Sequence, residues 1–251
     1  MHINFLHNLR DALALTDERF RSLYRPDVET YPVPFFGNIR QARVLTVGAN
    51  PSATEFIKER EWPSHITTEH LYSRLINYFN YPIQPHDWFM EWRLALQKLD
   101  SSYETGDAAH LDLSPRATIS MEDAKRRGAL KLFENMVETD VEWFFDLLSL
   151  CEQVRLIMMA GCLGTRYMDK FVKRLAPRYG YRMEGMVDKS GSGRVGFYYL
   201  QTDDRTLPVF FCSVSPSSRD NSWLLTQRVT ENSRVLLETL SDDFSNWPLE
   251  L

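Results

Sequence analysis

Residues 43–52, Arg-Val-Leu-Thr-Val-Gly-Ala-Asn-Pro-Ser, decide how the rest of the chain is read. Val44, Leu45 and Val47 make a short apolar, β-branched run that predicts a strand. Gly48 ends it where the backbone must turn sharply, and Pro51 stiffens the chain just past Asn50. A short helix is expected from about residue 53 to 60, so the segment reads as strand, loop, helix. Two further runs, 154–161 and 207–214, are nearly as continuous in apolar character, as parallel strands covered by helices on both faces are. Residues 108–113 are another strand candidate. The pattern predicts a doubly wound α/β sandwich, with ligands expected in the crevice at the carboxyl ends of its strands.

Helical spacing is present from Phe5 to Phe20 and over 67–80, 85–99, 120–137, 141–150 and about 221–240. Ser120 with Asp123 resembles a helix cap followed by an acid in the first turn. Residues 25–38 carry three prolines and read as an irregular connection. Residues 182–201 read as a hairpin with its loop at 188–194, placed either over the pocket or along the sheet's edge. With no repeat, low-complexity tract or linker, 1–251 is expected to be a single domain with an N-terminal helical extension of about 34 residues.

The 251 residues are 43% hydrophobic and 25% charged, ordinary globular values that argue against a disordered or fibrous chain. With 29 Lys and Arg against 34 Asp and Glu, the net charge is −5, so contact with nucleic acid requires a local basic face. Lys125, Arg126, Arg127 and Lys131 form one such cluster, and Arg166, Lys170, Lys173, Arg174 and Arg178 another; either is equally read as a solvated helix face. Cys151, Cys162 and Cys212 are odd in number and scattered, which predicts reduced, buried thiols. Apolar runs far short of a bilayer's thickness, and a start without the layout of a signal peptide, predict a soluble cytoplasmic protein.

The loops that follow the strands carry the chemistry. The Asn50 amide both donates and accepts, suiting it to orient a water or a polar base edge, yet it is too weak a base to take a proton. The alternative is a plain strand-to-helix turn with Ser52 as the cap. Ser215, Pro216, Ser217 and Ser218 precede a helix, where small hydroxyls and free amides favour an anion or simply cap the helix. His110 lies two residues before Asp112 on a strand and so shares its face, as a substrate-side acid or a structural hydrogen-bond donor. His65 and His70 are five apart, off the spacing of a helical metal pair, and neither a metal nor a cofactor is expected. Trp88, Trp92 and Trp143 sit at helical spacing and read as core.

Gly48-Ala49-Asn50-Pro51-Ser52 after the first strand and Ser215-Pro216-Ser217-Ser218 after the last resemble, in order and spacing, the two active-site signatures of the uracil-DNA glycosylase superfamily. Phe36-Gly37-Asn38 is similar to small bacterial members, and the stretch from His110 to Pro115 falls at the superfamily's base-reading strand end. The likeness spans about 35–221. It implies a three-layer α/β/α fold with a central, mainly parallel four-stranded sheet, and a DNA glycosylase that hydrolyses the N-glycosidic bond of a flipped-out damaged or unusual base. By the same resemblance Asn50 positions the attacking water and donors at Ser215 stabilise the leaving base. Gly48, Ala49, Pro51, Ser52, Asp112 and Ser217 line the base, Phe56 or Phe36 stacks on it, and Ser218, Arg219, Arg166 and Lys170 hold phosphate. The implied partner is DNA or a nucleobase-containing ligand. A non-catalytic base, nucleotide or nucleic-acid binder on the same fold is the alternative; a serine hydrolase is disfavoured because no Gly-x-Ser-x-Gly elbow is present.

Two positions depart from the superfamily pattern. Ser215 stands where many relatives have His or Asn, and it reaches less far as a donor. Asp112 stands where a uracil reader has Asn. An ionised carboxylate only accepts, so it would suit an amino-bearing base edge better than uracil O4; otherwise Asp112 pairs with a neighbouring Arg or caps the turn before Pro115.

Overall fold

The strands that the apolar runs predict are buried on both faces, which is the property that lets them lie side by side at the centre of a sheet. A computed structural model of the protein describes residues 3–56, 62, 66–82, 84–160, 172–188, 195–203, 205–212 and 222–241. Its sheet has strands β1 (Phe35–Phe36), β2 (Val44–Gly48), β3 (Ala108–Asp112), β4 (Leu156–Ala160), β5 (Arg182–Asp188), β6 (Val195–Gln201) and β7 (Thr206–Cys212). Every residue of β2, β3 and β4 is buried, as is every residue of β7 after the first. These four are mutually parallel, in the order β3-β2-β4-β7.

The sheet does not stop at four strands. Among the described residues its order is β1-β3-β2-β4-β7-β6-β5, seven strands. The two residues of β1 pair antiparallel with β3, a segment too short to carry a period of its own. The β5–β6 hairpin continues the sheet at the other edge, with β6 antiparallel to β7 over its whole length, Val195 level with Cys212 and Gln201 with Thr206.

The helices are α1 (Ile3–Ala14), α2 (Asp17–Phe20), α3 (Thr68–Ile76), α4 (Asp87–Gln97), α5 (Met121–Arg126), α6 (Leu130–Ser149), α7 (Ser222–Glu231) and α8 (Ser233–Leu240). Leu6, Leu9 and Leu13 of α1 are buried, as their spacing requires. Ser120 caps α5 by accepting the Asp123 N–H at 3.1 Å. The segments 120–137 and 141–150 divide differently from the sequence pattern. The break comes at Gly128, whose φ of +70° a side chain resists, and α6 then runs unbroken through 138–140. Helicity persists through Asp140 because that carboxylate points inward to a buried partner. Among the described residues no helix is long and apolar enough to cross a membrane.

That partner is Arg116, whose side chain is fully buried. Its Nε donates to Asp140 Oδ2 at 2.9 Å, and Nη1 donates to the Leu13 carbonyl at 3.1 Å and the Tyr24 hydroxyl at 3.2 Å. The same guanidinium pairs with Asp17 and donates to Thr16, while Ser114 Oγ donates to Asp140 Oδ2 at 2.7 Å. One cation therefore ties the end of α1, α2 and α6 to the loop that leaves β3. Burial raises the Asp140 pKa and the facing Arg116 opposes that rise. Removing one partner of such a pair strands the other charge, so Arg116→Met is expected to cost about 3–5 kcal/mol in urea unfolding. The double variant Arg116→Met/Asp140→Leu is expected to recover much of that loss.

Candidate functional site

At the carboxyl edge of the parallel strands, Gly48 of β2 lies level with Asp112 of β3. The pairing runs on past both strand ends, with Leu113 N–H donating to the Gly48 carbonyl and Ser114 N–H to the Ala49 carbonyl, each at 3.0 Å. The loop then stays beside the segment after β3: Thr118 N–H donates to the Pro51 carbonyl at 3.3 Å and Ala53 N–H to the Thr118 carbonyl at 2.9 Å. Asn50 closes this joint. Its Nδ2 donates to the Pro51 carbonyl at 2.9 Å and Thr118 Oγ1 at 3.0 Å, with a longer approach of 3.4 Å to the Arg116 carbonyl. With its amino end so fixed, Asn50 keeps Oδ1 as its remaining polar atom. Ser52 Oγ accepts the Thr54 N–H at 3.2 Å, capping a 3-10 turn at Ala53–Phe56, the described part of the expected helix.

Gly48 is required by space. A Cβ there would lie 2.1 Å from Asp112 Oδ1 and 3.0 Å from His110 Nε2, so the carboxylate rests where a side chain would be. Thr46 and Gly48 on β2 and His110 and Asp112 on β3 share one face, with Thr46 level with His110. The sequence places His110 and Asp112 together by this alternation, and the structure joins them: Nε2 and Oδ1 are 3.2 Å apart, both side chains almost fully buried. His110 Nδ1 lies 3.0 Å from Thr46 Oγ1, which is 2.7 Å from the Tyr103 hydroxyl. One set of protons can serve the whole row, with Tyr103 donating to Thr46, Thr46 to His110 Nδ1, and His110 Nε2–H to Asp112 Oδ1; the opposite His110 tautomer reverses the roles at its ring.

Asp112 Oδ2 is buried and has no hydrogen-bond partner among the described residues. A bare carboxylate oxygen out of water is costly, and burial pushes the Asp112 pKa above the ordinary carboxylate range, His110 opposing the shift. The pairing of Asp112 with an arginine is not what forms; Arg116 goes to Asp140, and Asp112 goes to His110.

Aromatic rings surround His110. Trp88 meets it edge to face at 4.7 Å and Phe89 at 5.2 Å, while Phe36 lies tilted to it at 5.9 Å. Trp88 is half-buried in the first turn of α4, beside the polar row, and periodicity alone gave no sign of that placement. His86 holds this turn to the Asn50 loop: its Nδ1 accepts the Trp88 N–H at 3.2 Å and its Nε2 lies 3.0 Å from Thr54 Oγ1. Phe36 packs against Tyr78 and Phe89, and Phe56, 7% exposed, packs between Tyr31 at 5.7 Å and Trp62 at 4.9 Å.

The structure thus brings Gly48, Ala49, Asn50, Pro51, Ser52 and Asp112 to one strand edge, with Phe56 in an adjoining aromatic cluster. Ser215, Ser217, Ser218, Arg219, Arg166 and Lys170 lie outside the described residues. β7, whose last residue Cys212 precedes Ser215, is parallel to β4 and therefore ends at this same edge. Of the basic clusters, Arg126 pairs with Asp123 and Arg174 with Glu138. Cys151 and Cys212 are both buried. Among the described residues no group of three His, Cys, Asp or Glu is arranged to hold a metal ion. No protein-family model matches the chain, and no curated protein is detectably similar to it.

Gly48→Ala forces Asp112 off the strand or the two strands apart, a form of overpacking expected to cost about 1–3 kcal/mol in chemical denaturation. A control such as Gly106→Asn, where the glycine's positive φ suits Asn and nothing but Gln41 is near, is expected to cost less. The raised Asp112 pKa means the folded chain keeps a proton that the unfolded chain releases. Its contribution to stability is therefore greatest below the ordinary carboxylate pKa near 4 and falls as pH climbs toward the raised value. Asp112→Asn removes that titration, so the variant's stability relative to wild type is expected to rise from about pH 4 to 8 in urea midpoints. A difference that stays constant with pH would contradict the raised value.

Proposed function

We propose that the β2–β3 strand edge binds a nucleobase and that the protein hydrolyses its N-glycosidic bond in DNA. The observation that carries this reading is Asp112 Oδ2, buried and without a partner among the described residues, beside Gly48, which leaves it room and lies two residues before Asn50. A buried polar atom without a partner is the kind of group a ligand completes. In this reading Asn50, its amide nitrogen held by backbone and Thr118, offers Oδ1 to the water that attacks the sugar carbon. Ser215 and its neighbours supply donors to the leaving base, and Ser218, Arg219, Arg166 and Lys170 meet the phosphates. The central parallel strands correspond to the four-stranded core of a three-layer α/β/α sandwich, with β1 and the hairpin as additions.

Burial also bears on which base suits Asp112. If it keeps Asp112 protonated, Oδ2, the oxygen that His110 does not engage, can donate to a base carbonyl, which an ionised carboxylate cannot do. It then suits the C=O of a lactam edge, as on uracil, hypoxanthine and xanthine, in place of the amino-bearing edge that suits an ionised carboxylate.

A second reading, a non-catalytic base or nucleotide binder, is favoured by the commitment of the Asn50 amide to three structural acceptors. Base loss separates the two. Labelled oligonucleotides carrying uracil, hypoxanthine, xanthine or normal bases are incubated with protein and cleaved with alkali. Breakage at lactam bases is expected, falling about a hundredfold or more in Asn50→Ala and retained in Asp112→Asn. Retained binding without breakage at any base assigns the chain to the binding class and overturns the catalytic one.

A further inference from the structure

At the opposite edge of the sheet, where β4 and β7 begin, the surface opens into a concavity of about 750 Å³. Glu152, Val154, Arg155, Tyr181, Arg205 and Thr206 are among its walls, contributed by the α6–β4 connection, the approach to β5 and the start of β7. It is far from Gly48 and Asp112, because the strands between are parallel and those residues end them.

Arg205 gives this hollow its character. Its Nη2 donates to the carbonyls of Cys151 at 2.7 Å and Val154 at 2.5 Å, which anchors the guanidinium without neutralising it. Among the described residues it forms no ion pair. Arg155, which has interactions of its own, adds a second guanidinium to the same walls, and Glu152 is the carboxylate among the described lining residues. Burial lowers the Arg205 pKa, with Tyr181, Cys151 and Glu152 opposing the shift and the charge of Arg155 adding to it. Thr206 presents an exposed hydroxyl, and the buried ring of Tyr181, packed on Phe145 at 5.5 Å, gives the hollow an aromatic wall.

We propose that this concavity is a binding site for a small phosphate-bearing molecule, its oxyanion held by Arg205 and Arg155 and its organic part lying against Tyr181 and Val154. A fixed guanidinium matches an oxyanion in geometry as well as charge, because its N–H groups form a planar fork. The volume suits a metabolite-sized ligand. This site is independent of the nucleobase reading of the other edge, so either can fail alone.

Thermal unfolding of the full chain in rising inorganic phosphate, with ionic strength held constant by chloride, tests it. A saturable rise in Tm is expected, since a ligand that binds only the folded state stabilises it. Arg155→Gln is expected to weaken the phosphate response about tenfold, the loss of one charge-assisted contact. Thr206→Asp, which adds a carboxylate to an exposed wall position without touching the Arg205 anchor, is expected to abolish it. The Tm of each variant in chloride alone reports its folding. No rise above the chloride control, or an equal rise in wild type and both folded variants, overturns the proposal.

Discussion

The carboxylate of Asp112 resting against the bare α-carbon of Gly48 is the constraint around which this end of the molecule is arranged. It fixes β2 and β3 in register, because sliding either strand by one residue would bring a side chain into the carboxylate or turn Asp112 to the other face. It also sets the orientation of His110, and through His110 that of Thr46 and Tyr103, so that four polar side chains buried among aromatic rings share one chain of protons. Among the described residues, Asp112 Oδ2 is the atom of this row left without a partner. A fold that tolerates one unsatisfied carboxylate oxygen in its interior bears a cost there that packing alone does not explain.

The loops beyond that contact are held from two sides. Asn50 and the Pro51–Thr118 pairing bind the loop after β2 to the segment after β3, and Arg116 binds that segment to α1, α2 and α6. His86 does the same for the first turn of α4, where Trp88 lies against His110. The strand edge is thus a braced platform, the kind of support that positioned polar groups need.

The central strands were legible because burial on both faces writes itself into the sequence as an unbroken apolar run, and the shared face of His110 and Asp112, though not their pairing, was legible because a strand alternates every second residue. Other features are set by contacts distant in sequence. Two residues of β1 pair with β3 and have no pattern to read. Asp140 looks like a polar interruption between two helices, yet α6 passes through it because Arg116, 24 positions earlier, supplies the buried counter-charge. The titration of Asp112 likewise answers to its surroundings: the residue type suggests an ordinary carboxylate, and burial pushes its pKa upward. Trp88 falls in the helical stripe with Trp92, and only the placement of α4's first turn shows that it borders the polar row while Trp92 is fully buried.

If this platform is where the protein meets a nucleobase, the contact is local and can be mapped residue by residue. The most direct measurement is a titration of isotopically labelled protein with free uracil, followed through backbone amide chemical shifts. Shifts concentrated at Gly48, Ala49, Asn50, Trp88 and Asp112, saturating with added base, are the expected result. Shifts that leave those amides unmoved while others respond, or no saturable response at any amide, would contradict a nucleobase site at this edge.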